Sequence, residues 1–356
     1  MRITALLLCA IGLVFPPSSL SAQDSPTVLM QQKHWKRVRA IAQSKLKASA
    51  DDAEANYMMS QVLLAWDDPG AALPYAEKAV KLSPQNTAYR WGLAQILGEQ
   101  AERANVFRQI GLARRFRSET ETILKLDPKH VEAHYGMMMY YFKAPGIIGG
   151  DKKKAYLEAE EIGKIDRGKG YVAQARLAGE AQQPETIEDL YKAAIEADPK
   201  LVDAYTSLIH LTVTKDRASD VERYGRHLIA IEPKRTVGYN ALTWSFVKQK
   251  RWADLDQILA EAEAAIPDDF VPYYVAANTL LASKDDLPKA ERYFRKYLSQ
   301  EREAGTPSHA LAHWRLGLVL EQQGRKADAI AALETAVKAD ASLEQAKKDL
   351  RRLKAN

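Results

Sequence analysis

The sequence predicts an all-α chain, an α-solenoid of about eight stacked helix–turn–helix units. Three observations carry this. Pro199, Pro233 and Pro267 stand 34 residues apart. The stretches they close repeat the same apolar spacing. No strand-like alternation persists anywhere in the chain. A unit of this size cannot bury its apolar face alone, so it stacks on its neighbours and leaves a long concave surface.

The chain opens on what reads as a secretory signal, residues 1–22. Arg2 supplies the positive start, Ile3 to Phe15 is a mainly apolar run, and Pro16 and Pro17 break it. Ser19-Leu20-Ser21-Ala22 offers small residues for cleavage. The run is too short to span a bilayer, and no later segment approaches the required length. A lipoprotein signal built on Cys9 fits poorly, because the bulky Leu8 precedes it and the apolar run would be cut in half. Cys9 is the only cysteine. Its loss with the signal leaves no disulfide and no thiol nucleophile. Losing Arg2 as well lowers the formal charge from +5 to +4. So mild an excess does not point to nucleic acid. The expected location is the bacterial periplasm or the exterior.

Residues 23–52 are expected to form one N-terminal helix, centred on Val28 to Lys47, and 53–343 the repeat array. With Val202 as position 1, Tyr205, Leu208, Ile209 and Thr212 hold positions 4, 7, 8 and 11. Val221, Gly225, Leu228 and Pro233 follow at 20, 24, 27 and 32. The next unit, from Thr236, gives Tyr239, Leu242, Thr243, Phe246, Leu255, Leu259, Ala262 and Pro267. The first four places form one stripe on a first helix and the next three a stripe on a second. Proline at position 32 prevents the second helix from continuing. Ala53 and Ala310 start further units, and Phe270 starts one whose second half runs a residue late. The stretch from Gly168 to Leu201 is worn at its front. Residues 344–356, charged on most faces, read as a polar capping helix.

This pattern and period resemble the tetratricopeptide repeat family. The resemblance implies a right-handed superhelix that binds another chain, and it implies no chemistry.

Two units are interrupted. Pro84 and Pro128 are 44 apart, one period plus ten. The surplus lies within 98–117 and carries Arg103, Arg108, Arg114, Arg115 and Arg117. Good helix formers throughout predict two lengthened, projecting helices. Glu99, Glu102, Glu119 and Glu121 flank the arginines. The group reads either as a solvated face or as a patch for an acidic or phosphate-bearing partner. The second interruption, 143–151, reads Lys-Ala-Pro-Gly-Ile-Ile-Gly-Gly-Asp and must be a loop, with Ile147 and Ile148 expected to tuck onto the neighbouring ridge. Leu126-Asp127-Pro128 followed by Ala144-Pro145-Gly146 and Gly149-Gly150 is similar to one group of exported bacterial members of the family. That likeness bears on fold and compartment only.

The family likeness implies that positions 2, 5, 9, 12 and 13 of each first helix line the groove. Here position 5 holds Tyr57, Trp91, Tyr135, Thr206, Asn240, Tyr274 and Trp314. Position 9 holds Gln61, Gln95, Met139, His210, Trp244, Asn278 and Leu318. Phe142 and Val247 stand at position 12 and Lys248 at 13. Aromatic rings bring large contact area and amides can pair with an extended backbone. Two readings of the position-5 rings stand: groove contact, or filler between repeats. Members that clamp a C-terminal carboxylate carry a cation at position 5 or 2. Position 5 here has no lysine, so no such clamp is expected.

Catalytic signatures are missing. There is no Gly-x-Ser-x-Gly, no phosphate loop and no His-Glu-x-x-His. His130 with His134, and His309 with His313, have the spacing of a helical metal pair. Both sit at helix starts without an evident third ligand, so no metal and no cofactor is expected. The sequence thus predicts a non-enzymatic adaptor for a protein or peptide segment. The alternative is a solenoid binding a small molecule, glycan or lipid in transport or envelope assembly.

Overall fold

Helices begin where a side chain can satisfy the first free amides. In this computed structural model, which describes residues 25–355, Asp52 caps α3 (Ala53–Ala65), Asp68 caps α4 (Pro69–Leu82) and Asn86 caps α5 (Thr87–Arg103). Asn105 caps α6 (Val106–Leu126) and Asp166 caps α9 (Arg167–Glu180). The expected signal, residues 1–22, lies outside the described residues. The remaining array pairs α7 (Val131–Lys143) with α8 (Lys152–Ile165), α9 with α10 (Pro184–Ala197), and α11 (Val202–Thr214) with α12 (Ala218–Ile231). Then come α13 (Thr236–Lys248) with α14 (Trp252–Ala265), α15 (Val271–Ser283) with α16 (Leu287–Leu298), and α17 (His309–Gln322) with α18 (Lys326–Ala339). No strand occurs among the described residues. The chain is an all-α solenoid.

The N-terminal segment departs from the expectation of one helix. It holds α1 (Pro26–Gln32) and α2 (Trp35–Ala48), parted at Lys33, whose φ is 66°. Left-handed residues occupy the corresponding turn at Asp67, Gln182, Asp216, Lys250 and Lys284. Lys33 and Asp67 are one 34-residue period apart. The segment is therefore a truncated repeat in register with the array. Leu29, Val38 and Ala42 bury against Ala55, Met58 and Val62 of α3.

Each hairpin encloses its own apolar seam, and the seams merge between units. The largest runs from α13 through α18 into the last helix at Leu353, with Phe246, Leu259, Leu280, Phe294 and Leu333 fully or nearly fully buried. Along one edge runs a ladder of ion pairs. Arg217 meets Glu188, Arg251 meets Glu222, and Arg325 meets Glu291, at 2.7, 2.7 and 2.6 Å. Each arginine also pairs with the acid three places on, Asp220, Asp254 or Asp328. Glu188 takes hydrogen bonds from Lys215, Arg217 and Lys192, which hold its carboxyl at about 2. Such partly exposed pairs are worth up to about 1 kcal/mol each and set the register between units more than the stability of any one.

The helices of the first interrupted unit are long: α5 has 17 residues and α6 has 21. In the second, α7 ends at Lys143, Gly146–Ile148 forms one 3-10 turn, and α8 starts at Lys152. Here Ile147 corrects the sequence reading. It is 91% exposed, because the loop is pinned instead by Tyr140 Oη on the Ile148 carbonyl. The chain closes on α19 (Glu344–Ala355), which buries Ala346 and Leu353 and turns its charges outward.

Candidate functional site

Successive first helices touch, α3 with α5, α13 with α15, and α15 with α17, while no pair of second helices approaches as closely. The first helices therefore form the inside of the curve. Its exposed face is the candidate binding trough.

Several rings expected in that trough are wedges between repeats. The Tyr57 ring leans on Gly92, where a Cβ would lie 2.8 Å from it, and meets the Tyr89 ring at a tilt with centroids 4.9 Å apart. Trp91 repeats this one unit on, 2.8 Å from a would-be Cβ on Gly136. Glycine at position 6 makes room for the preceding unit's position-5 ring. Trp314 donates from Nε1 to Asp349 Oδ2 at 2.9 Å on the capping helix, with the Arg315 guanidinium 4.3 Å from its ring centroid.

Tyr274 corrects the expectation outright. At 7% exposure it belongs to the core, with Phe294 and Tyr297 at centroid distances of 5.6 and 5.2 Å. Tyr135 is half-buried against the α7–α8 seam. Burial pushes the hydroxyls of Tyr57, Tyr135 and Tyr274 up.

What remains accessible is narrower and more polar. Gln95 and His210 are exposed, and Met139, Asn240, Trp244 and Asn278 are half-buried. Lys248 Nζ sits 5.8 Å from the Trp244 ring and pairs with Asp216 at 2.8 Å. The side-chain carbonyl of Asn240 and the amide nitrogen of Gln61 are buried with no hydrogen-bond partner among the described residues.

The five arginines do not share one role. Arg103 pairs with Asp67 and Glu99, Arg115 with Glu77 at 2.6 Å, and Arg117 with Glu121 at 2.7 Å. Arg108 and Arg114 are exposed and form no ion pair among the described residues. The paired histidines are structural. His130 Nδ1 accepts from the Ala133 amide at 3.2 Å, and His134 bridges Glu158 and the Pro128 carbonyl at 2.6 and 2.9 Å. Burial lowers His309 and His313. Among the described residues no three His, Cys, Asp or Glu side chains are placed to hold a metal.

The sequence reading missed a polar clasp that joins the two halves of the solenoid. The turn into α2 meets the inter-repeat turns at 234, 268–269 and 301–303. His34 Nε2 donates to the Lys234 carbonyl at 2.9 Å, and Arg37 pairs with Asp268 at 2.8 Å. The Lys36 amide donates to Glu303 Oε1 at 2.8 Å, its Nζ to the Glu301 carbonyl at 2.7 Å, and Arg39 pairs with Glu301 at 2.8 Å. Thr236 bonds to Asp269 beneath them. His34, Asp269 and Glu303 are all buried. Burial alone would raise the Asp268 carboxyl, but the hydrogen bond and charge of His34 and the charge of Arg37 outweigh it and hold it at about 2. Burial raises Glu303 to about 7, against the pull of the Lys36 amide and ammonium. The only sequence signal was charge sign: Lys33, Lys36, Arg37 and Arg39 at one end, Asp268, Asp269, Glu301 and Glu303 far along.

Comparison with known proteins agrees with the architecture. Residues 53–86 and 274–344 each match a tetratricopeptide repeat family model. No curated protein matches the sequence. Yeast Tom70 is similar in structure, with a TM-score of 0.51 at 12% identity over 93% of this chain and 80% of that one. A tetratricopeptide repeat protein from Parabacteroides merdae has a TM-score of 0.42 at 14% identity over 85% of this chain and 99% of that one. One from Thermus thermophilus has 0.44 at 18% over 50% of this chain and 91% of that one.

Proposed function

We propose that this chain, a tetratricopeptide repeat protein and so an interaction scaffold, holds a segment of another protein along the inside of its curve. The observation that supports this most is the row of accessible polar and aromatic groups on successive first helices: Gln95, Met139, His210, Trp244 and Asn278. Their spacing by whole repeats suits an extended or helical segment better than a compact ligand. On this reading the chain is exported and works in the periplasm or outside the cell, without catalytic activity of its own.

The test separates groove from core. His210→Ala with Trp244→Ala should abolish capture of the partner while leaving the circular dichroism unchanged and lowering the melting temperature only modestly, since Trp244 flanks the α11–α13 seam without being enclosed by it. Tyr274→Ala should lower the melting temperature much further. Retained capture in the first variant contradicts the reading.

A second reading has a specific observation behind it. The clasp ties α2 to three later turns, which narrows access to the inner face and favours a small molecule, glycan or lipid. Native mass spectrometry of protein from its own host distinguishes the two. A retained small ligand supports the second, and a retained polypeptide the first.

A further inference from the structure

The two departures from the 34-residue period fall in adjacent units, and the structure brings them together. The turn between α5 and α6 and the loop between α7 and α8 both connect a first helix to a second, so they lie on one edge of the solenoid. Lys143 Nζ reaches Glu102 at 3.6 Å. The Arg117 guanidinium packs on Gly149, where a Cβ would lie 2.6 Å from it and where φ is 102°. Arg114 and Arg117 line a cleft with Ile147. The two insertions are one projection.

Its surface differs from the rest of the chain. Phe107 and Ile147 are each 91% exposed and Val106 is 68% exposed, the most exposed large apolar side chains described. Phe107, Gly111 and Arg114 are spaced along one face of α6. A Cβ on Gly111 would meet nothing within 4 Å, so that face is open. Arg108 and Arg114, and Lys153 beside the loop, are exposed, while the nearby acids Glu102 and Glu121 are already engaged.

The geometry points to this projection as a docking surface for an anionic lipid membrane. Single apolar side chains on convex tips are unlike a protein contact, whose hot spots sit in packed pockets behind a ring that excludes water. Apolar tips ringed by unpaired cations suit an interface where the tips enter the acyl boundary and the cations meet phosphate. The charge is complementary: two free arginines and a lysine, with no free acid between them. This inference stands apart from the use of the trough, which lies on another face.

The test uses the protein as its host processes it and phosphatidylcholine vesicles with and without phosphatidylglycerol. Co-sedimentation should occur with the anionic vesicles and weaken with salt. Phe107→Ser with Ile147→Ser, and separately Arg108→Glu with Arg114→Glu, should each lower the partition by at least about tenfold. All four positions are solvent-facing, so both variants should keep the parent melting temperature. His210→Ala with Trp244→Ala should leave vesicle binding unchanged even where it abolishes protein capture. Absent binding, equal binding to neutral vesicles, or undiminished binding by either double variant overturns the proposal. So does a photo-crosslink from position 107 that yields a protein instead of lipid.

Discussion

His34 Nε2 lies 2.9 Å from the carbonyl of Lys234, two hundred positions along the chain. A carbonyl only accepts, so the ring nitrogen donates. This bond and its neighbours fix the start of the solenoid against turns five and more repeats later. A superhelix is otherwise held only by nearest-neighbour interfaces, so a long-range tie limits how far it can stretch.

The clasp should respond to pH from both sides. Asp268 is held near 2 against an ordinary value of 3.8, so its contribution is full above about 4 and is lost as pH falls through about 2. Glu303 has the opposite sign. Its folded value of about 7 lies above 4.5, so the folded state binds the extra proton, and stability falls as pH rises from about 4.5 through 7. The loss is on the order of 3 kcal/mol. Asp269, raised by burial beneath Thr236, adds in the same direction, while Lys36 opposes both. Hydrogen exchange of the α2 amides should therefore be slowest near pH 4–4.5, after correction for intrinsic rates. Glu303→Gln should remove most of the alkaline limb, leaving the part that Asp269 contributes, and should spare the acid limb. An unchanged limb in that variant would show that Glu303 is not its source.

The wedge packing of α5 on α7 should be intolerant of added volume. Gly136→Val would place a branched side chain within 2.9 Å of the Trp91 ring and 3.1 Å of Phe116. The expected cost is about 1–3 kcal/mol, read as a lower denaturation midpoint. Adding Trp91→Ala should restore part of it, since the two changes share one space. Independent, additive effects would mean the ring and the glycine are not packed as described.

Gln182 is exposed and left-handed, with φ at 58° and no side-chain hydrogen bond or ion pair among the described residues. A Cβ there costs energy that glycine avoids. Gln182→Gly should raise stability by about 0.5–1 kcal/mol despite the greater freedom of the unfolded chain. A lower melting temperature would contradict the strained turn.

Much of this architecture was legible because repeats write it many times over. Pro199, Pro233 and Pro267 gave the period, and Leu208, Leu242 and Leu280 the buried stripe. The break at Lys33 was equally legible, one period before Asp67, had the register been carried back past a segment too short to show its own stripe. Ile147 could not be placed from sequence. An apolar residue in a glycine loop packs only if the loop curls inward, and here Tyr140 and Arg117 fix it otherwise. Tyr274 could not be separated from Trp244 either. Whether a ring on a first helix points to the groove or to the neighbour depends on the space the neighbour leaves, as Gly92 and Gly136 do. The clasp was hidden because pairing across more than two hundred residues follows from superhelix pitch, which no local pattern encodes.

The most direct measurement is a photo-crosslinker placed one position at a time at Gln95, His210 and Asn278 on the inner face, and at Gln257 and Glu334 on second helices. Crosslinks to one and the same polypeptide from the three inner positions, and none from the outer two, are expected. Crosslinks confined to the outer positions would contradict a binding trough inside the curve.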